Sequence, residues 1–155
     1  MRLAVFDVGG TAIKYAAMTD GEMDGKGEVP TPATCSGDFL AAIEGVVDAL
    51  RAEGDIEGVA LSLPGVIDAE RGLVVTSGAL PCNDGARASA WEERWGVPVR
   101  IDNDARCATM AELSCGNLVG VETRAVLAFG TGVGGGIVVG AASTPDATSM
   151  RGSSA

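Results

Sequence analysis

The sequence predicts an α/β domain in which a mixed β-sheet is covered by helices. Three observations carry this. The elements follow the order strand, hairpin, strand, and then strands alternating with helical patterns. Of 155 residues, 46% are hydrophobic, enough for a real core in a single domain. Only 4% are aromatic while 23 are glycine, which suits a small-residue, glycine-loop domain better than an aromatic-rich binding module.

The elements can be justified in chain order. Residues 3–8 form a short apolar run that stops at Asp-Val-Gly-Gly-Thr, the pattern of a buried strand entering a tight turn. Residues 13–18 and 22–29 read as two further strands joined by Asp20-Gly21, a hairpin signal. Pro30 and Pro32 then end the ladder, because proline donates no hydrogen bond. Phe39, Leu40, Ile43, Val46, Val47 and Leu50 recur at helical spacing, predicting a helix over 36–53 with Ser36 as N-cap and Gly54 as its stop. Residues 59–63 read as a strand ending at Pro64-Gly65, 73–76 as a short extra strand, and 88–95 as a helix with Gly96 beyond it. A strand over 97–101, a helix over 105–115 opened by Asp102-Asn103-Asp104, and a strand pair over 124–129 and 136–139 complete the domain.

The formal net charge of −10 argues against a non-specific nucleic-acid or anionic-membrane binder, since phosphate backbones require Lys and Arg. It leaves a nucleotide ligand open, because backbone N–H groups can hold phosphate. The four cysteines are scattered and there is no histidine, so no zinc site is expected. A reduced, cytoplasmic chain is the simple reading, with no leader of signal type and no apolar run of membrane-spanning length.

Four segments carry chemistry. In Asp7-Val8-Gly9-Gly10-Thr11 a strand delivers a carboxylate to a turn whose glycines admit a phosphate close to the backbone. Asp7 could accompany the Mg²⁺ of a nucleoside triphosphate. Taken alone, the segment is equally an ordinary hairpin turn. The run from Gly130 through Thr131, Gly132, Val133, Gly134 and Gly135 to Gly136 sits between two strands and can form an anion nest for the β- and γ-phosphates, or a plain glycine hairpin. It is not a Walker A loop, because no Gly-Lys-Ser/Thr follows, nor a dinucleotide fingerprint, because a strand follows it. Asp102-Asn103-Asp104 stands at a strand end and helix start, where a carboxylate can accept the proton of an attacking hydroxyl. N-capping alone would explain it as well. In Leu63-Pro64-Gly65-Val66-Ile67-Asp68 a strand ends in Pro-Gly, by itself merely a turn.

Each signal is modest alone, but their order and spacing are specific. DVGGTAIK at 7–14, LPGVID at 63–68, DNDARCATMAE at 102–112 and FGTGVGGGIVV at 129–139 resemble the ROK family of sugar kinases and related repressors. The resemblance implies an actin-like, ribonuclease-H-like ATPase lobe with a mixed five-stranded sheet and helices on both faces. It implies two such lobes per protein and phosphorylation of a hexose or hexose derivative with ATP and Mg²⁺. Position by position, it gives Asp7, Gly9, Gly10 and Thr11 to the first phosphate loop, with Asp7 toward the metal. Thr131, Gly132, Gly134 and Gly135 fall in the second loop. Asp104 matches the catalytic base, and Gly65, Asn103 and Asp104 match sugar-contacting positions. Intact members are often homo-oligomers. Arg106 stands where many members have Asn, and Ala12 where many have Lys.

The resemblance is expected to cover residues 1–140 as an N-terminal lobe. Residues 141–155 are small, polar and aperiodic, and are expected to be a disordered tail. The family's A-G-E-x-G segment, with its sugar-binding Glu, is absent. Back-translated with GC-rich codons and read from the third base of each codon, the tail permits GVYPGRNFDAGELG, which restores it. The tail therefore reads as frameshift-derived, and the chain as truncated and inactive alone. A non-catalytic nucleotide-binding remnant or ROK-type regulator is the alternative. The family's repressors carry a DNA-binding segment before the first strand, which here begins at residue 3. An actin- or chaperone-type ATPase shares the two loops but does not explain Pro64-Gly65 together with Asp102-Asn103-Asp104.

Overall fold

The computed structural model describes residues 1–32, 36–129 and 133–139. The chain divides into two compact units, Met1–Asp104 and Ala105–Ala155. The division falls inside the span 1–140 expected as one lobe, and the expected tail at 141–155 lies outside the described residues.

The first unit is built on a five-stranded mixed sheet. Its strands are β1 (Arg2–Val8), β2 (Ala12–Thr19), β3 (Glu22–Pro30), β4 (Gly58–Leu63) and β7 (Val99–Asn103), in the order β3-β2-β1-β4-β7. The β1–β2 and β2–β3 pairs are antiparallel, whereas β1–β4 and β4–β7 are parallel. The Asp20-Gly21 turn joins β2 to β3 with both residues at positive φ, 52° and 88°, the geometry that matches the twist of a tight hairpin. Pro30 closes β3, an edge strand, where a missing N–H is tolerated.

Side chains alternate across the sheet. Ala4, Phe6 and Val8 of β1 share one face with Val59, Leu61 and Leu63 of β4 and with Val99 and Ile101 of β7, and all are buried. Against them pack α1 (Ser36–Glu53), through Phe39, Ile43, Val46, Val47 and Leu50, and α2 (Ala88–Trp95), through Ala88, Trp91 and Trp95. The Trp91 ring lies 6.2 Å from Phe39 and 5.9 Å from Trp95, centroid to centroid. The Glu92 carboxylate ties α2 to β7 by accepting the Val99 N–H at 2.9 Å. Gly96 ends α2 in the left-handed conformation at φ 69°, returning its N–H to the Glu92 carbonyl at 2.9 Å.

A second hairpin, β5 (Val66–Asp68) with β6 (Leu73–Thr76), follows β4. Only β6 is expected from the sequence. β5 hides in the Pro-Gly-Val-Ile-Asp segment because three residues are too few to display a period. β7 begins two residues later than expected because Pro98 cannot donate. Instead its carbonyl accepts the Val59 N–H at 2.9 Å, and the ladder starts at Val99. Ser36 is the first residue of α1 rather than a flanking cap.

The second unit carries the rest of α3 (Asp104–Ser114) and the hairpin β8 (Thr123–Phe129) with β9 (Val133–Val139). Thr109 is buried and its hydroxyl donates to the Ala105 carbonyl at 2.7 Å. A Cβ on Gly136 would come within 2.7 Å of that hydroxyl oxygen, so the glycine lets β9 lie close against α3. β9 starts at Val133, three residues earlier than expected, because the glycines keep the backbone N–H and C=O groups that a ladder uses. Gly134 pairs with Ala128 and Gly135 with Leu127. Among the described residues, no helix is long and apolar enough to cross a membrane.

Phe39 is fully buried at the junction of α1, α2 and the sheet. Phe39→Ala is expected to cost roughly 3–5 kcal/mol, a large share of the about 5–15 kcal/mol that holds a domain folded. Urea unfolding followed by tryptophan fluorescence measures this, and a shift of less than about 1 kcal/mol would contradict the packing described.

Candidate functional site

The parallel strands β1, β4 and β7 end at the same edge of the sheet, the edge at which open α/β sheets bind ligands. Their register aligns a polar row across all five strands, Glu28–Lys14–Asp7–Ser62–Asp102. Alternation puts this row on the face opposite Phe6 and Val8. The Ser62 hydroxyl donates to Asp7 Oδ1 at 3.3 Å, so the exposed Asp7 carboxylate has a neighbour on the adjacent strand.

Beyond Asp7 the chain turns through Gly9, Gly10 and Thr11, and this loop is tethered at three points. The Gly9 N–H donates to the Ala12 carbonyl at 2.9 Å. The Thr31 hydroxyl donates to the Gly9 carbonyl at 2.8 Å, and the Thr31 N–H to the Thr11 carbonyl at 2.9 Å. The N–H groups of Gly10 and Thr11 find no acceptor among the described residues, and both residues are exposed. Two adjacent free donors on a fixed loop beside a carboxylate suit a phosphate accompanied by a metal ion. Among the described residues, no group of three or more His, Cys, Asp or Glu could cage a metal. Mg²⁺ is usually held by one or two carboxylates plus the substrate's own phosphates, and Asp7 is the carboxylate beside this loop.

A second corner forms where β4 and β7 end. Asn103 closes β7, and its side-chain amide donates to the Gly65 carbonyl at 2.8 Å and to Asp104 Oδ1 at 2.9 Å. The Asp102 carboxylate accepts the Asn103 N–H at 2.8 Å. Asp104 is exposed at the first turn of α3. Gly65 sits at φ 111°, and a Cβ there would run into the Thr76 carbonyl and the Ser77 backbone. The turn after β4 therefore requires glycine twice over, for conformation and for space.

The structure thus brings Gly65, Asn103 and Asp104 together, and places Asp7, Gly9, Gly10 and Thr11 in one loop. Thr131 and Gly132 lie outside the described residues. Gly134 and Gly135 stand in the β9 ladder rather than in a loop, which corrects the expected extent of the turn. A Cβ on Gly135 would meet the Val126 carbonyl, so its small size serves strand pairing.

Sequence reasoning misses the segment that joins the two corners. Thr76 and Ser77 press on Gly65, while Ala79 Cβ lies 3.7 Å from where a Gly10 Cβ would stand. Asp84 holds this segment, accepting the Ser77 N–H at 2.7 Å and the Thr76 hydroxyl at 3.2 Å. No local pattern flags these residues. Only the Thr-Ser-Gly cluster at 76–78 hints at a turn.

The chain is similar to known proteins over most of its length. The sequence pattern of the ROK family matches residues 3–146. A beta-glucoside kinase of Klebsiella pneumoniae is 36% identical over 139 residues, covering 88% of this chain and 46% of that protein. A glucokinase of Halalkalibacterium halodurans is 34% identical over 141 residues, covering 85% and 42%. The crystal structure of a ROK family glucokinase from Streptomyces griseus, in complex with glucose and AMPPNP, superposes with a TM-score of 0.81 at 28% identity, over 90% of this chain and 45% of that one. The fold is that of the actin-like ATPases. The chain spans about half the length of the curated relatives it matches.

The two glycines of the site should differ in their response to substitution. Gly10→Ala adds a Cβ at ordinary contact distance, and stability is expected to change by less than about 0.5 kcal/mol. Gly65→Ala forces a side chain into a positive-φ position against the backbone, and a loss of roughly 1–3 kcal/mol is expected. Denaturant melts of both variants decide this, and equal effects would refute the steric account.

Proposed function

Because the chain belongs to the ROK family, we propose that it carries the nucleotide-phosphate loop and the acceptor-hydroxyl corner of an ATP-dependent hexose kinase. The observation that supports this most is the Asn103 bridge, which orients the Asp104 carboxylate and the Gly65 carbonyl beside the strand edge that carries Asp7. In this reading the Gly10 and Thr11 N–H groups hold phosphate oxygens, and Asp7 accompanies Mg²⁺. Gly65 and Asn103 hold sugar hydroxyls. Asp104 accepts the proton of the attacking hydroxyl as its oxygen bonds to the γ-phosphorus and the bond from that phosphorus to ADP breaks. A loose phosphoryl-transfer transition state leaves the protein mainly positioning and charge stabilisation to supply. Thr131, Gly132, Gly134 and Gly135 are assigned to the second phosphate loop by family resemblance.

Which hexose is accepted stays with the class, since the relatives include kinases named for beta-glucosides and for glucose. We further propose that the 155-residue polypeptide alone turns over hexose negligibly. The support is its coverage of about half of each relative and the tail at 141–155, for which one permitted back-translation, read in a shifted frame, gives the family's next segment. Misorientation of a bound sugar can forfeit roughly 7–11 kcal/mol of rate acceleration.

Two assays test this. Calorimetry with Mg-ATP is expected to show binding by the wild-type chain and weaker binding by Gly10→Val, whose side chain blocks the free N–H groups. Kinase assays with glucose, N-acetylglucosamine and a β-glucoside compare the chain with its frame-restored form. The short chain is expected below about a tenth of that control, a difference of 1.4 kcal/mol. In the restored form, Asp104→Asn is expected to lower kcat by roughly 10²–10⁴-fold with ATP affinity nearly unchanged. Near-wild-type turnover in that variant would refute the base assignment.

A further inference from the structure

We propose that Asp84 is a positioning residue for the acceptor corner, acting through the Thr76–Ser77 backbone on Gly65 and through Gly65 on Asn103. The proposal rests on reading Gly65, Asn103 and Asp104 as the hydroxyl-binding corner, and adds to it the residue that sets its geometry.

The physical path is short, running through hydrogen bonds and through close backbone packing at Gly65. Asp84 is itself fixed, because the next residue, Gly85, donates its N–H to the Val74 carbonyl at 2.8 Å while Val74 donates to Ala86 at 2.9 Å. From this fixed position the carboxylate uses both oxygens. Oδ1 accepts the Ser77 N–H at 2.7 Å and Oδ2 the Thr76 hydroxyl at 3.2 Å. A carboxylate accepting from a backbone N–H makes a stronger bond than a neutral acceptor does. Ser77, now held, receives the Leu80 N–H on its hydroxyl at 3.2 Å, which shapes the next turn.

The Thr76 carbonyl and the Ser77 backbone then form the wall against which Gly65 lies, too close to admit a Cβ. Gly65 cannot shift toward that wall, and its carbonyl is the acceptor that the Asn103 amide grips at 2.8 Å. The second proton of the same amide goes to Asp104 at 2.9 Å. An amide group is planar and rigid, so moving the Gly65 carbonyl rotates the donor offered to Asp104. The held segment also runs past Gly10, with Ala79 Cβ 3.7 Å from where a Gly10 Cβ would stand. A carboxylate that only stapled a local turn would not need to stand behind a positive-φ glycine whose Cβ space is filled by backbone atoms, which cannot swing aside as a side chain can.

The test uses the full 155-residue chain, labelled with ¹⁵N. The side-chain amide of Asn103 gives a pair of NMR signals, identified by their loss in Asn103→Ser. In Asp84→Ala, which removes both acceptors, these signals are expected to move toward those of an unbonded amide, together with the backbone signal of Gly65. Asp84→Asn keeps an oxygen for the Ser77 N–H and is expected to restore most of the wild-type pattern. Thr76→Val removes only the hydroxyl donor, is expected to move the Asn103 pair by a smaller amount, and serves if the alanine variant does not fold. Unchanged Asn103 signals in a folded Asp84→Ala, or in Thr76→Val if the alanine variant is unfolded, overturn the proposal, since a local staple would shift only residues 76–84.

Glucose titration of the same samples separates this from the functional reading. If the wild type binds glucose, Asp84→Ala is expected to weaken binding about tenfold, or 1.4 kcal/mol, and Asp84→Asn by less. Equal affinities of the alanine variant and wild type also overturn the proposal. If the wild type binds no glucose, the hydroxyl-binding reading fails for this chain, while the Asn103 signals still decide whether Asp84 positions the corner.

Discussion

The position of β4 between β1 and β7 is the constraint on which the site depends. Both of its pairings are parallel, and the register matches Phe6 with Leu61 with Ile101 on one face and Asp7 with Ser62 with Asp102 on the other. Slipping either pair by one residue would send the buried apolar set into solvent and bury the polar row. Burying a Val, Leu or Ile side chain is worth roughly 1.5–3 kcal/mol, so the apolar face fixes the register strongly. The polar row is carried into alignment with it. The candidate edge is thus specified by buried residues of the core, foremost Phe39, Trp91 and the buried side chains of β4.

Given that register, the two corners differ in how they are held. The proposed phosphate loop is tied by backbone groups and by Thr31, leaving the Gly10 and Thr11 N–H groups without an acceptor among the described residues. Such donors point at a ligand without reorganisation, the property that makes a backbone nest effective for anions. The acceptor corner is held by side chains, with Asn103 spanning Gly65 and Asp104 and with Asp102 accepting from the Asn103 backbone. Side-chain networks gain strength from one another but fail together when a member is lost.

Much of the fold was legible because its signals are periodic or steric. The helical stripe from Phe39 to Leu50 gave α1 its bounds, Asp20-Gly21 gave the hairpin, and Gly96 gave the end of α2. The misses have equally local causes. β5 is too short to show a period, Pro98 delays β7, and a glycine run does not distinguish a loop from the ladder that β9 forms. Within the candidate site, the positions of Asp7, Gly65, Asn103 and Asp104 were legible because carboxylates and glycines at strand ends are chemically marked. Thr31, Ser62, Thr76, Ser77 and Asp84 were not legible. Each acts through a contact with a residue more than a few positions away or through a turn whose shape depends on the sheet beneath it.

The central claim is that the ends of β1 and β7, and the turn after β4, form one ligand-binding edge. Backbone amide shift mapping of the ¹⁵N-labelled chain with Mg-AMPPNP, followed by glucose, tests it most directly. The account predicts that nucleotide moves the signals of Gly9, Gly10 and Thr11, and that sugar then moves those of Gly65, Asn103 and Asp104. Shifts that leave these residues unmoved and gather instead around Lys14, Met23 and Lys26, which line a groove over the outer strands, would contradict it.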